Sequence, residues 1–212
     1  PAVESFCMLV SLQKTEQQAL ERKAQEEGIE GYAIYALDEF GVRIPVENDN
    51  NILYPIYYTA TPMAGEIGPG FDVGSIPAFR EALENAARTG FATAAIPVWD
   101  EIKDTVDKRI SIYYPLYDKN DSGEHLLRGF VATTVRIDLL LQRALATVAE
   151  NTGYVSVEMY QLVANEPPVP IASAAPKEGI RQIPSGWLES FGVKELSLNR
   201  SMSLFSHTYV LM

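Results

Sequence analysis

Asp72 ends a stretch rich in glycine and proline (Pro62, Gly65, Gly68, Pro69, Gly70) and stands just ahead of a helical pattern. A carboxylate placed there has two roles open to it. Enclosed by apolar side chains, it is a strong acceptor that favours amine or ring N–H donors and repels anions. Alternatively, it satisfies backbone donors within its own glycine loop, a common task for Asp. Other reactive chemistry is sparse. Of the two histidines, His125 falls in a charged hairpin and His207 near the end, and neither adjoins a nucleophile motif. No Gly-x-Ser-x-Gly occurs, so a hydrolytic triad would have to come from unmarked positions. No glycine-rich phosphate loop with a lysine is present either. The single cysteine, Cys7, excludes an internal disulfide, and between Phe6 and Met8 it reads as a small buried hydrophobe. Catalytic residues and cofactors: none are expected.

Two acidic clusters raise the question of a metal. The run Asp100, Glu101, Asp104 and Asp107 reads as a solvated loop. The segment from Asp118 to Glu124 matches only the first half of a calcium loop, through Asp118, Asn120, Ser122 and Gly123, and the closing Glu would fall on Gly129. No metal ligands are expected.

The elements that must position Asp72 follow from composition and period. With 212 residues, 47% hydrophobic and 21% charged, the chain buries a core of ordinary globular kind, best arranged as one domain of two lobes. Twenty-eight acidic against 17 basic residues give a formal charge of -11, which opposes phosphate backbones and anionic lipid surfaces, so nucleic acid is excluded as a partner. The longest apolar runs fall well short of the roughly 20 residues of a spanning helix. Beginning at Pro1 without a leader and ending on Tyr209-Val210-Leu211-Met212, the chain reads as a piece of something longer.

A strand is expected over residues 2–12, then a helix over 15–27 capped by Thr15 and ended by Gly28, and a strand through Tyr32, Ile34, Tyr35 and Leu37. Asp38 to Gly41 is a turn, and residues 42–46 are extended because of Pro45. A single strand over 52–59 would put Tyr54, Ile56 and Tyr58 on one face. The loop bearing Phe71 and Asp72 follows. Ser75 as cap, Pro77 in the first turn, the spacing of Phe79, Leu83, Ala86 and Ala87, and Gly90 define the next helix. Strands are expected over 91–98, 109–117 and 128–137, and Asp138 caps a helix over 139–150. Beyond it come a strand over 154–162, a Pro-rich loop over 167–176 and a last strand over 204–212.

Several blocks in fixed order then carry a resemblance. They are Pro1-Ala2-Val3-Glu4-Ser5, Glu27-Gly28, Tyr54-Pro55-Ile56-Tyr57-Tyr58, Gly70-Phe71-Asp72, Thr89-Gly90, Tyr114-Pro115-Leu116-Tyr117, and Gly129-Phe130-Val131 followed by Ile137-Asp138. In that order they resemble a CHASE domain, the extracytoplasmic sensory module of histidine kinases and nucleotide cyclases. The resemblance implies an α+β fold of two stacked PAS-like lobes, each an antiparallel sheet with flanking helices, with the family's long stalk helix lying ahead of Pro1 and absent here. Residues 1–137 would form the membrane-distal lobe with the ligand pocket, and 138–212 the connecting helix and membrane-proximal lobe.

Plant cytokinin receptors of this family bond the adenine ring through an aspartate of the matching block, and Asp72 occupies that position. By position in the same lobe, Tyr58 and Phe71 would be aromatic walls, with Ala94, Tyr114 and Thr133 as further lining. Where the plant receptors have a pair of glycines, this chain has Ala132 and Thr133, and Ala94 replaces a larger aliphatic, so an amino acid, a purine or a small amide would fit in place of cytokinin. The resemblance implies a periplasmic or extracellular ligand-sensing domain, itself no enzyme, in a membrane-anchored receptor of the histidine kinase or diguanylate cyclase type that works as a homodimer. The alternative is a dimerisation or interaction module with no small-molecule ligand. Asp72→Ala is expected to abolish ligand stabilisation without unfolding the protein.

Overall fold

The computed structural model describes residues 2–46, 51–60, 67–95, 109–119, 124–149, 156–165, 167–174 and 198–212. Strand β1 (Val3–Val10) buries Cys7 and Leu9 and turns Phe6 and Met8 outward, the two-residue period of a pleated strand. After β2 (Leu12–Gln13) and a 3₁₀ turn (Lys14–Glu16) comes α1 (Gln17–Glu26), of which only Ala24 is fully buried. Thr15, the expected cap, falls inside the 3₁₀ turn, because Gln13 N–H donates to the Glu16 carboxylate at 2.9 Å and closes the turn one step earlier. Strands β3 (Tyr35–Leu37) and β4 (Arg43–Pro45) form a hairpin around Asp38, whose Oδ1 accepts from the N–H groups of Phe40 and Val42.

The single strand expected over 52–59 is two: β5 (Ile52–Leu53), paired with β2, and β6 (Ile56–Thr59), paired with β1. Pro55 between them has no N–H to give a ladder. Helix α2 (Pro77–Thr89) starts with Pro in its first turn and ends at Gly90, burying Phe79, Ala82, Leu83 and Ala86. Its N-cap is Ile76; Ser75 instead donates its hydroxyl to Asp72 O at 2.6 Å. Strands β7 (Thr93–Ala95), β8 (Arg109–Lys119) and β9 (His125–Arg136) complete a five-stranded sheet in the order β6-β1-β9-β8-β7.

One face of that sheet holds the core: Leu9, Ile56, Tyr113, Phe130 and Ala132 pack with Phe79 and Leu83 of α2. Ring contacts tie it together, Tyr54 to Phe130 at 5.6 Å and Phe79 to Tyr113 at 6.2 Å between centroids. A smaller cluster of Leu12, Ala24, Tyr32, Ile34, Ala36, Val46 and Leu53 gathers residues of α1, β2, β3 and β5.

The chain divides into two compact units, one of residues 3–135, apart from 105–108, and one that takes in Ala2 and residues 136–212. The second contains α3 (Ile137–Ala149) and an antiparallel sheet of β10 (Val157–Leu162), β11 (Val169–Ala174), β12 (Arg200–Leu204) and β13 (His207–Leu211), ordered β11-β10-β13-β12. Asp138 stands in the first turn of α3, and the Arg136 guanidinium bonded to it, at 2.7 Å, holds its carboxyl below the usual value. Two expectations change here. Part of the Pro-rich stretch is a strand, because β11 lies at the sheet's edge and Pro170 sits where the register slips, positions at which a missing N–H costs little. The last strand is a hairpin, turning at Phe205 and Ser206, whose φ values are 51° and 66°.

Tyr209 is 1% exposed and its hydroxyl has no hydrogen-bond partner among the described residues. A buried unpaired hydroxyl carries an uncompensated desolvation cost. Tyr209→Phe is therefore expected to leave the unfolding midpoint in urea unchanged or raise it by up to about 1 kcal/mol equivalent; a clear loss of stability would mean that the hydroxyl has a partner in solution.

Candidate functional site

The loop that carries Asp72 is threaded between β3 and β6. Gly70 N–H donates to Ile56 O at 2.8 Å, Ile56 N–H to Phe71 O at 2.9 Å, Tyr35 N–H to Gly70 O at 3.0 Å and Asp72 N–H to Tyr35 O at 2.8 Å. Glycine is required at position 70, where φ is +92° and a Cβ would stand 2.1 Å from Ala33 O. This close approach sets the next two residues into the interior. Phe71 is 1% exposed and its ring meets Tyr35 at 5.8 Å, while Asp72 is 0% exposed.

The Asp72 carboxylate is divided between two situations. Its Oδ1 accepts from Tyr54 N–H at 2.8 Å and from Gly74 N–H at 3.1 Å, capping the 3₁₀ turn Val73–Ser75. Its Oδ2 is buried and has no hydrogen-bond partner among the described residues. Of the two roles expected for Asp72, the geometry shows the one in which an oxygen serves its own loop. Burial pushes the carboxyl above its ordinary value, and the Tyr54 and Gly74 N–H bonds and the Arg80 guanidinium pull it back down. With two backbone donors hanging on Oδ1, Asp72→Ala would leave both N–H groups unpaired, so a cost in stability is expected from that substitution.

Three neighbours of the carboxylate were not foreseen: Tyr54, Gly74 and Arg80. Arg80 lies near the start of α2, where a cation opposes the helix macrodipole. That unfavourable position is the signal in the sequence that something else holds it. Its Nε donates to Gly74 O at 2.7 Å, its terminal nitrogens to Ile52 O at 3.3 Å, and its guanidinium lies 5.5 Å from the centre of the Tyr54 ring.

The remaining expected lining residues do not join Asp72 and Phe71. Phe6 pairs with Thr133 and Met8 with both Val131 and Tyr58, so Thr133 and Tyr58 belong to the sheet face opposite the α2 core. Ala94 alternates away from Ala95, and Tyr114 away from Tyr113, both of which lie in that core. Tyr58 is 60% and Tyr114 54% exposed. The displacement of Tyr58 has a specific cause. The register runs Met8↔Tyr58 and then Leu9↔Ile56, leaving Tyr57 as a bulge, and an extra residue reverses the facing of everything beyond it. The Oγ1 of Thr133 donates to Ser5 O at 3.0 Å, which is a bond along the sheet.

Other chemistry offers little. Burial pushes the Cys7 thiol up to about 11, which keeps it un-ionised and weakly nucleophilic. The ring of His125 stacks edge-on with Tyr117, and Nδ1 of His207 lies 3.0 Å from Gln161 Nε2. The acidic run from Asp100 to Asp107 lies outside the described residues, as do Asn120, Ser122 and Gly123, and Asp118 pairs with Arg128 at 2.6 Å. Among the described residues no group of three or more His, Cys, Asp or Glu is placed to hold a metal ion, and no helix is long and apolar enough to cross a membrane.

The family model of the CHASE domain matches residues 1–171 of the 212. No curated protein matches the chain.

Proposed function

The chain belongs to the CHASE domain family, extracellular sensor domains of membrane receptors, and on that premise we propose that its first unit binds a small molecule whose N–H donor meets Asp72. The observation that carries this reading is the buried, unpartnered Oδ2 of Asp72. A carboxylate oxygen shut away from water without a donor is costly, and a ligand that supplies the donor recovers that cost only when bound. Anionic ligands without an N–H are disfavoured at such an acceptor. The two units, each with an antiparallel sheet and at least one helix, support the reading of two PAS-like lobes, with the ligand in the first. The receptor would be a membrane-anchored homodimer of the histidine kinase or diguanylate cyclase type, whose two states differ in affinity for the ligand.

The test is a thermal-shift screen of the 212-residue chain against amino acids, purines, small amides and small carboxylates. At a concentration of about 100 Kd a ligand specific for the folded state adds about 2.7 kcal/mol and raises Tm. The expected pattern is a shift with N–H donors, lost in Asp72→Asn, and none with carboxylates that lack an N–H. A shift retained in Asp72→Asn, or its absence across all donors, would remove Asp72 from the ligand site.

A second reading rests on the other sheet face. Phe6 (49%), Met8 (38%), Val131 (41%), Tyr58 and Tyr114 are exposed together there, an apolar patch of the kind found at protein contacts. If interaction alone is the task, sedimentation shows concentration-dependent dimers that Tyr58→Lys disperses, and the screen shows no ligand.

A further inference from the structure

Around the Asp72 loop, Arg80 meets Gly74, Ile52 and Tyr54. Its guanidinium holds the loop through Gly74 O, holds β5 through Ile52 O, and lies over Tyr54, whose own N–H donates to Asp72. Its side chain is 12% exposed, so this cation is largely withdrawn from water, and its one ion pair among the described residues, with Glu84 at 3.8 Å, reaches a glutamate that is 59% exposed. An exposed partner at that distance offsets little of the cost of burying a guanidinium. Charged and titratable groups around the loop are Arg80 and Glu84 from α2, Tyr54, and Tyr35 of β3 with Arg43 stacked at 4.3 Å from its ring centre. The cation that acts on Asp72 is Arg80.

We propose that Arg80 is the positioning residue of the Asp72 site: its guanidinium pins the Gly74 turn that Asp72 caps to β5 and α2 and brings a positive charge to the loop, leaving Oδ2 as the acceptor that a ligand must fill. This rests on Asp72 being the ligand's acceptor, but its test does not. An Oδ2 held in place as an acceptor selects a ligand that brings a donor, so the placing of the loop by Arg80 bears on which class of ligand is read. The same guanidinium joins the loop, β5 and the first turns of α2, so filling the site is felt at the helix.

The experiment follows the Asp72 carboxyl carbon by NMR through an acid titration of the 212-residue chain, in the wild type, Arg80→Met and Arg80→Lys, without ligand. Removing the cation in Arg80→Met is expected to raise the Asp72 midpoint by on the order of one pH unit. Arg80→Lys keeps the charge but not the planar fork, so its midpoint stays near the wild type while the Gly74 amide exchanges faster with solvent. An Arg80→Met midpoint equal to the wild type would overturn the proposal. Should that variant fail to fold, Arg80→Lys decides: a Gly74 amide as protected as in the wild type overturns it as well. A failed ligand screen beside a successful titration sinks the sensing reading alone; the converse sinks only the role of Arg80.

Discussion

Asp72→Ala is expected to lower the unfolding free energy by about 3 kcal/mol, and Asp72→Asn by distinctly less. The difference comes from Oδ1, which holds the buried N–H groups of Tyr54 and Gly74. Alanine leaves both without an acceptor, each costing about 1–3 kcal/mol, while asparagine retains the carbonyl oxygen and exchanges only Oδ2 for an amide nitrogen. Urea unfolding of the three proteins checks the order; equal losses would mean that the two N–H groups find water.

The pH dependence supplies an independent sign. Burial raises the folded value of Asp72 above its ordinary 3.8, so the folded state holds this proton more tightly than the unfolded chain does. Its contribution is then fully present below 3.8 and is lost as pH rises through the higher folded value. Asp138 runs the other way: the bond to Arg136 depresses it, so its contribution is present above 3.8 and lost as pH falls through the lower folded value. The stability of the wild type relative to Asp72→Asn should therefore improve toward acid, whereas relative to Asp138→Asn it should improve toward neutrality. A wild type that gains nothing over Asp72→Asn on acidification would contradict the raised value.

Gly129→Ala should be at least as damaging, by about 3 kcal/mol or more. Gly129 pairs with Val10 in the ladder between β1 and β9, near the middle of the five-stranded sheet. A Cβ there would stand 1.9 Å from Leu9 O and 2.9 Å from Leu9 C, atoms of the backbone that cannot rotate aside. Relief requires moving β1 away from β9, which strains the bonds that align Leu9 with Phe130 and with Ile56. The midpoint in urea should fall at unchanged slope, since the loss is in the native state and not in the surface exposed on unfolding. A change of under about 1 kcal/mol would show that β1 and β9 stand farther apart at this point.

The sequence by itself determined those features that depend on residues close together in the chain. Pro77, the spacing of Phe79, Leu83 and Ala86, and Gly90 specify α2 within fourteen positions, and the observed helix has those limits. The alternation in β1 and the turn at Asp38 are local in the same way. The ordered blocks around Tyr54, Asp72 and Gly129 were enough to indicate the family, and the glycines before Asp72 were enough to mark its loop. Tertiary structure alone decided which side chains meet. A two-residue period says that neighbours face apart, but not which face receives a helix, and the bulge at Tyr57 reverses that period in mid-strand, so Tyr58 leaves the core that Ile56 joins. The partners of Asp72 were hidden for a related reason. Tyr54 N–H lies eighteen residues back, and Arg80 reaches Ile52 across twenty-eight, so these contacts exist only once the loop is threaded between β3 and β6. Local sequence encodes conformations within a few bonds; the charge and the open acceptor of a buried site are set by whichever distant backbone the fold brings against it.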